Sequence, residues 1–539
     1  MKKMLATLCA LISYLYFSSV AGEGDVAPAY QLRELVPPSP FCGVHGLGID
    51  PEDNLYAGSV VGQRLYRVNK ISGAVEVEVG PPKGMADDME FLPDGTVVWT
   101  SISQNAVRAK SPGGDVRDLA NLVSVNSIAF RESDQRLFVA QVFGGDGLWE
   151  IDINGEKPPR SIIKNMGGLN GFDIGPDGMI YGPLWFKHQV VKINPDTGDL
   201  SVVADGFYTP AAANFDSQWN LYVLDTGTGE IIKIDINTGA KSVFYQLKTS
   251  LDNLAIDSQD NLYVSNMADN SIQAIDIDTK AIRSVVEPGL SCTTSLSVAH
   301  GGNGDVVYMA DIFALRRINS KTGEITDIAR SHAANTPIGY ASGVFAGKSY
   351  FYVVSSGRLQ QYDRDTDTLT KTFNQVRNPS YITELANGDL LVISQGGKQL
   401  SRYSGSNQEA VSVLNDNLGG ISSVAQLDAV NAIAALTDAD KLIRINLSTG
   451  DSTELPFSFT KPVDVAIRSP KQWLIRESQG RIIQLNPDNG DKLTILENFP
   501  SGRINPADGF RGNAMGLGST GEIYLFSDIN NAVYTITSK

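Results

Sequence analysis

Six positions, one in each of six successive repeats, carry the residue types most able to do chemistry: His45, Asp87, Asn126, Asn170, Ala211 and Asp252. Each stands just before the apolar pair that opens a strand-like run, so repeats set around one axis would turn these side chains toward a common centre. Two carboxylates facing one channel repel each other. Asp and Asn together are also the oxygen-rich donor set of a hard cation such as Ca²⁺, with water filling the remaining places. A divalent cation held by Asp87, Asn170 and Asp252 would relieve the repulsion and act as a Lewis acid, Mg²⁺ and Zn²⁺ being the other ions to consider. The competing reading is that Asp and Asn open strands in order to bond neighbouring backbone amides. The equivalent positions of the second half, Thr294, Ala341, Ser380, Ser423, Val463 and Asn513, offer far less of this chemistry.

An imidazole suited to proton transfer near neutral pH appears in Trp185-Phe186-Lys187-His188, on a loop expected at the same end of the repeats. His188 reads either as a general acid or base above the channel or as a surface histidine. Asp225, in the matching loop of the next repeat, reads as a turn former more readily than as a ligand. His300 and His332 fall in the second half, with no partners to be named from sequence.

The elements that must position these residues follow from punctuation. Glycine turns at Ile71-Ser72-Gly73, Asp196-Thr197-Gly198, Asn237-Thr238-Gly239, Lys321-Thr322-Gly323, Ser448-Thr449-Gly450 and Asp488-Asn489-Gly490 recur at near-multiples of one length. That period, about 42 residues, together with hairpin glycines, is the mark of a β-propeller. Runs such as Asn261-Leu262-Tyr263-Val264 and Ile231-Ile232-Lys233-Ile234 are β-branched and aromatic-rich, and helix caps are scarce. The repeats therefore predict an all-β chain of about twelve four-stranded antiparallel blades. Two tandem six-bladed rings fit better than one ring of twelve, with seven plus five as the alternative division. The expected domains are residues 43–288 for the first propeller and 289–539 for the second, after a closing strand and crossing at 22–42.

Closure sharpens the prediction. The last repeat ends on only a third strand, at Ala532-Val533-Tyr534-Thr535-Ile536, while Tyr30-Gln31-Leu32-Arg33-Glu34-Leu35-Val36 is a strand without a sheet. Because open sheet edges invite aggregation, residues 30–36 are expected to complete the twelfth blade, so that the N-terminal strand closes the second ring. The chain then passes between the rings twice, at 37–44 and 286–294. Cys42 and Cys292 fall on these crossings, and export would allow a disulfide between them, two buried thiols being the alternative.

Composition narrows the partners. Met1-Lys2-Lys3, an apolar run over residues 4–17 and Ser19-Val20-Ala21 form the three parts of a secretory signal peptide at residues 1–21, which predicts a periplasmic or secreted protein. The net charge is −16, with acidic and basic residues mixed and no Lys/Arg block, which argues against nucleic acid or an anionic membrane as partner. No later stretch is long enough to insert in a membrane. A small-molecule substrate remains, with a protein partner on the second ring as a further option.

The strings Asn170-Gly171-Phe172-Asp173-Ile174-Gly175-Pro176-Asp177-Gly178, Asp252-Asn253-Leu254-Ala255-Ile256-Asp257 and Asn220-Leu221-Tyr222-Val223-Leu224-Asp225 resemble the six-bladed gluconolactonase/regucalcin superfamily with its NHL-type and streptogramin-lyase relatives. The resemblance covers residues 43–288 clearly and the rest as degenerate repeats. It implies a divalent cation, usually Ca²⁺, held by a Glu, an Asn and an Asp, and hydrolysis of lactones or related esters. Asn170 matches the family's metal-binding Asn and Asn126 its substrate-side Asn. His45 stands where the Glu is expected and Ala211 where the Asp is expected. Asp87 and Asp252, each one blade away, could replace the lost charge, loss of the metal altogether being the alternative. The resulting expectation is a lactonase-like, metal-dependent hydrolase with Asn126 and Trp185 on the substrate and His45 or His188 moving the proton. A lyase that opens esters by elimination, and a non-catalytic platform for binding or assembly, are the alternatives.

Overall fold

The computed structural model describes residues 24–302, 304–376, 378–404, 410–416, 418–502 and 514–539. The signal-peptide segment and Asn513 lie outside the described residues. Among the described residues, every regular element apart from three single-turn 3₁₀ segments is a β-strand, and the strands form twelve antiparallel sheets. Two tandem six-bladed propellers result. The innermost strands neighbour one another in cyclic order, and the sixth blade (residues 251–286) packs back on the first (47–79) through Leu251–Ile256 and Leu47–Ile49. In the second ring Ser295–Ala299 closes in the same way on Met515–Leu517.

Burial explains why the strands read as they do. In the fifth blade Leu221–Asp225 is buried throughout, whereas the outermost strand Lys241–Gln246 is mostly exposed. A strand between two neighbouring blades is covered on both faces and so becomes a continuous apolar run, while the rim strands splay apart and accept polar residues. All six turn glycines have φ between +71° and +80°. At Gly323 a side chain is also ruled out by space, since a Cβ would sit 1.9 Å from the Leu35 carbonyl oxygen.

Leu35 belongs to the closing strand. Tyr30–Val36 pairs antiparallel with Ala532–Ser538, from Tyr30 opposite Ser538 to Val36 opposite Val533, and is the outermost strand of blade twelve. Arg33 then donates to the Ser320 carbonyl in blade seven at 3.3 Å, fastening the seam of the ring. One addition was not legible: Asp25–Val26 pairs with Lys492–Glu497, giving blade eleven a fifth strand.

The two crossings run side by side. Gly43 N–H donates to Ser291 O at 3.0 Å, and a disulfide joins Cys42 to Cys292 across 4.5 Å between Cα atoms. Asn270 organises the junction: its Nδ2 donates to Phe41 O at 2.8 Å and Leu290 O at 3.2 Å, while its Oδ1 accepts from Gly43 and Val44 N–H. Arg330 of the second ring pairs with Asp269 of the first at 2.7 Å and donates to the Thr249 carbonyl. The loop after Arg330 lies on the first ring, with Ser250 Oγ donating to Ser331 O at 2.6 Å and Ala334 N–H to Gly227 O at 2.8 Å. The second ring thus reaches over the mouth of the first. Among the described residues, no helix is long and apolar enough to cross a membrane.

Candidate active site at the mouth of the first ring

His45, Asp87, Asn126, Asn170, Ala211 and Asp252, one from each blade, all line a single cavity of about 490 Å³ at the mouth of the first ring. The alignment of repeats therefore finds a real place in space. Trp185 lines the same cavity. His188 does not: it sits on an exposed turn with φ +58°, its Nδ1 bonded to Tyr208 O at 2.6 Å. The loop carrying Trp185 and His188 does emerge at this end, but the tight turn after Trp185 sends the imidazole outward. Asp225 is a turn holder, its Oδ1 accepting from Thr209 and Gly227 N–H and its Oδ2 from Tyr208 N–H.

The carboxylates divide into two kinds. Asp88, Asp173 and Asp464 each accept backbone N–H bonds from the neighbouring blade, at Ile128, Phe215 and Met515 respectively. These are struts between blades, the role assigned above to the competing reading. Asp88 also accepts from Asn253 Nδ2 at 2.9 Å, tying blade two to blade six across the pore. Asp87 and Asp252 are different. Asp87 accepts from Asn126 Nδ2, and among the described residues Asp252 has no hydrogen-bond partner. Burial raises the Asp87 carboxyl well above the usual range, helped by the charges of Asp252 and Asp88. Burial pushes Asp252 up to about 7. No Lys or Arg lines the cavity to offset them.

The remaining polar groups are fixed in orientation. Ser127 Oγ bridges Asn126 Oδ1 at 2.9 Å and Asn170 Oδ1 at 3.1 Å, and Asn170 Oδ1 also accepts from Gly171 N–H at 3.0 Å. That leaves Asn170 Nδ2 as its free donor. His45 is 8% exposed, and its Nδ1 bonds Gly43 O at 2.9 Å. Burial lowers its pKa to about 4, so it is neutral at pH 7, with Nδ1 as donor and Nε2 as acceptor.

Several wall residues come from the second ring and were missed by the sequence reading: Ile312, Phe313, His332 and Tyr340. Phe313 reaches His45 because residue 43 is glycine at φ +70°, where a Cβ would lie 2.3 Å from Cε2 of Phe313. Six rings then run edge to face around the mouth. Phe143 meets Trp185 at 5.6 Å, Trp185 meets His332 at 5.7 Å, and His332 meets Tyr340 at 5.5 Å. Tyr340 meets Phe313 at 5.7 Å, and Phe313 meets His45 at 5.3 Å. Burial lowers His332 to about 4, and burial with the nearby Asp252 and Asp87 charges raises Tyr340 to about 12. Tyr340 keeps 45% of its surface open, as befits a residue at the cavity's edge. No local pattern in the sequence could announce this collar, because half of it arrives from the other ring, three or more repeats downstream.

Residues 94–312 match the family described as SMP-30/gluconolactonase/LRE-like region. Most of the first ring, from its second blade onward, is similar to that family's model. The matched stretch takes in Asn126, Asn170 and Asp252 but begins after His45 and Asp87. No curated protein matches the chain. Among solved structures, a gluconolactonase from Xanthomonas campestris is 13% identical, covering 46% of this chain and 92% of its own, with a TM-score of 0.38. A chain of a nidogen/laminin complex is 17% identical over 43% of this chain and 94% of its own, with a TM-score of 0.39. A chain described as the extracellular domain of a one-component system from B. thetaiotaomicron is 12% identical, over 92% of this chain and 76% of its own, at 0.33. TM-scores this low carry no functional inference.

The divalent-cation trio expected from the sequence, Asp87, Asn170 and Asp252, lines this cavity as two carboxylates and one carboxamide. Asn170 Oδ1 accepts from Gly171 N–H, and the single Ser127 hydroxyl proton is shared between it and Asn126 Oδ1. Among the described residues, no three His, Cys, Asp or Glu side chains converge so as to hold a metal ion. What the mouth does assemble is a pair of acids, raised by burial and mutual repulsion, beside a fixed amide donor.

Proposed function

We propose that the protein is a lactonase-like hydrolase that opens a small cyclic ester at the mouth of the first ring, using the Asp87 and Asp252 pair as acid and base. The supporting observation is that these two carboxyls, unlike Asp88, Asp173 and Asp464, are not spent on neighbouring backbone. Two buried acids pushed above the usual range to different extents share out protonation states: one ionised and one protonated near neutral pH. Ionised Asp252 takes a proton from water, whose oxygen attacks the ring carbonyl. The developing oxyanion is met by Asn170 Nδ2, the donor left free by the bonds that Oδ1 accepts. As the ring C–O bond breaks, Asp87 gives its proton to the departing oxygen; Asn126, holding Oδ2, leaves Oδ1 to carry that proton. The products leave Asp252 protonated and Asp87 ionised, and exchange with solvent restores the pair.

Neutral His45 keeps a lone pair on Nε2 for the attacking water without adding charge. The inter-ring disulfide suits an oxidising compartment, which supports a periplasmic or secreted location. The test is hydrolysis of a panel of five- and six-membered lactones, with product mass as readout. Hydrolysis adds one water and elimination none. Asp252→Asn should lower kcat/KM by about 10²–10⁴, the usual worth of a positioned general base. EDTA or added CaCl₂ should leave the rate unchanged. Full activity in Asp252→Asn removes the proposal, and a rate that collapses in EDTA replaces the acid pair with a metal.

A further inference from the structure

The floor and the wall of this cavity make opposite demands on a ligand. The floor is polar and anionic, with Asp87, Asp88 and Asp252 and no cationic side chain beside them. The wall is the collar Phe143, Trp185, His332, Tyr340, Phe313 and His45, each ring set edge to face on the next. Edge-to-face rings leave alternating faces and edges on the cavity side, which is the surface that a further flat ring packs against. A polyhydroxylated sugar lactone fits this wall poorly. Each hydroxyl set against it needs a polar partner, and the Tyr340 hydroxyl lies 3.3 Å from His332 Nε2, already engaged. An anionic ligand meets three acidic side chains and no cation.

The collar is also built at a cost in backbone conformation. Of the three large apolar residues with positive φ, Phe143, Trp219 and Ile312, two line this cavity, and His332 beside them has φ +60°. Bulky side chains in the left-handed region persist where surrounding structure enforces them, and such positions gather at ligand clamps.

We propose that the second propeller supplies the specificity half of the site: Phe313, His332 and Tyr340, with Phe143 and Trp185, select uncharged substrates that carry a flat apolar ring, so that the substrate is an aryl-fused or aryl-bearing lactone or ester instead of a sugar lactone. The inference rests on the mouth being the binding site proposed above, but its test does not depend on turnover. The probe is 1-tetralone, a flat bicyclic ketone with no ester to cleave, titrated calorimetrically into the full chain. Methyl β-D-glucoside and 2-naphthoate are run beside it as a neutral polyol and an anionic ring. Tetralone is expected to bind at least tenfold more tightly than either. Tyr340→Ala, at a partly open position, should weaken tetralone at least tenfold with the melting temperature unchanged. Phe313→Leu, which keeps apolar bulk over Gly43, should weaken it as well; if that variant does not fold, Tyr340→Ala carries the test. Glucoside or naphthoate binding as tightly as tetralone, absence of tetralone binding, or unchanged affinity in Tyr340→Ala overturns the proposal. Tetralone binding without cleavage of any ester would leave this inference standing and remove the hydrolase.

Discussion

Neutralising Asp252 should make the protein more stable while making it inactive, and the two effects should separate with pH. In the folded chain burial holds the Asp252 carboxyl at about 7, against 3.8 for the same group in an unfolded chain. The unfolded state therefore releases its proton first as pH rises, and folding pays a growing penalty between those two values. Below about pH 4 both states are protonated and the penalty is absent; above about pH 7 both are ionised and it is constant. A shift of about three units at 1.36 kcal/mol each sets the penalty at about 4 kcal/mol as an upper figure. Part of it belongs to repulsion with Asp87, which relaxes when either partner is neutral. At the 2–4 °C per kcal/mol of a 150–250-residue domain, Asp252→Asn gains about 8–16 °C in Tm as an upper figure. The assay is differential scanning calorimetry of both proteins from pH 4 to pH 8.5. The expected trace is coincidence at the acid end and a gap that opens through neutrality. An equal gap at all pH values, or a loss of stability at pH 8, would refute the idea that this carboxyl is buried without a partner.

Other outcomes follow from the same geometry. The rate of ester opening should rise through about pH 7 as Asp252 ionises and fall at a higher pH as Asp87 loses its proton, with both limbs retained in His45→Gln because His45 is neutral throughout; a pH–rate profile checks this. Replacing Cys42 and Cys292 by Ser frees a loop spanning 250 residues, and the chain-entropy account predicts a loss of about 5 kcal/mol, measurable by urea unfolding. Removing residues up to 36 leaves Ala532–Ser538 as an open edge, so light scattering should report association, with the first ring's transition preserved in calorimetry.

The architecture was legible because propellers repeat their punctuation. Turn glycines with positive φ recur in six blades, second strands such as Leu221–Asp225 and Leu390–Ser394 are buried runs, and each signal is local. The closing strand was legible by elimination, as residues 30–36 had no partner nearby and blade twelve lacked one. The site was legible only in part. Repeat alignment brought His45, Asp87, Asn126, Asn170 and Asp252 to one cavity, because each position is set by the same place in each blade. It could not separate Asp87 from Asp88, adjacent residues whose side chains go respectively to the mouth and to a backbone amide of blade three. It could not choose between mouth and surface for His188, which one left-handed turn sends outward. His332 was invisible for another reason: its neighbours Trp185 and Tyr340 meet it only because two rings fold against each other, and contacts between domains leave no period in a sequence.

The pairing of residues 30–36 with 532–538 encloses the entire first wheel between the two ends of its twin, as an inner parenthesis within an outer one. During synthesis the inner wheel has all of its strands once residue 286 has emerged, while the outer one must wait for Ala532–Ser538. The segment that seals it is thus made before the whole of the inner wheel and idles until its partner appears. Distant pairings of this kind form slowly and leave unpaired strands exposed meanwhile, so the C-terminal wheel should be the last piece to mature and the piece most dependent on chaperones.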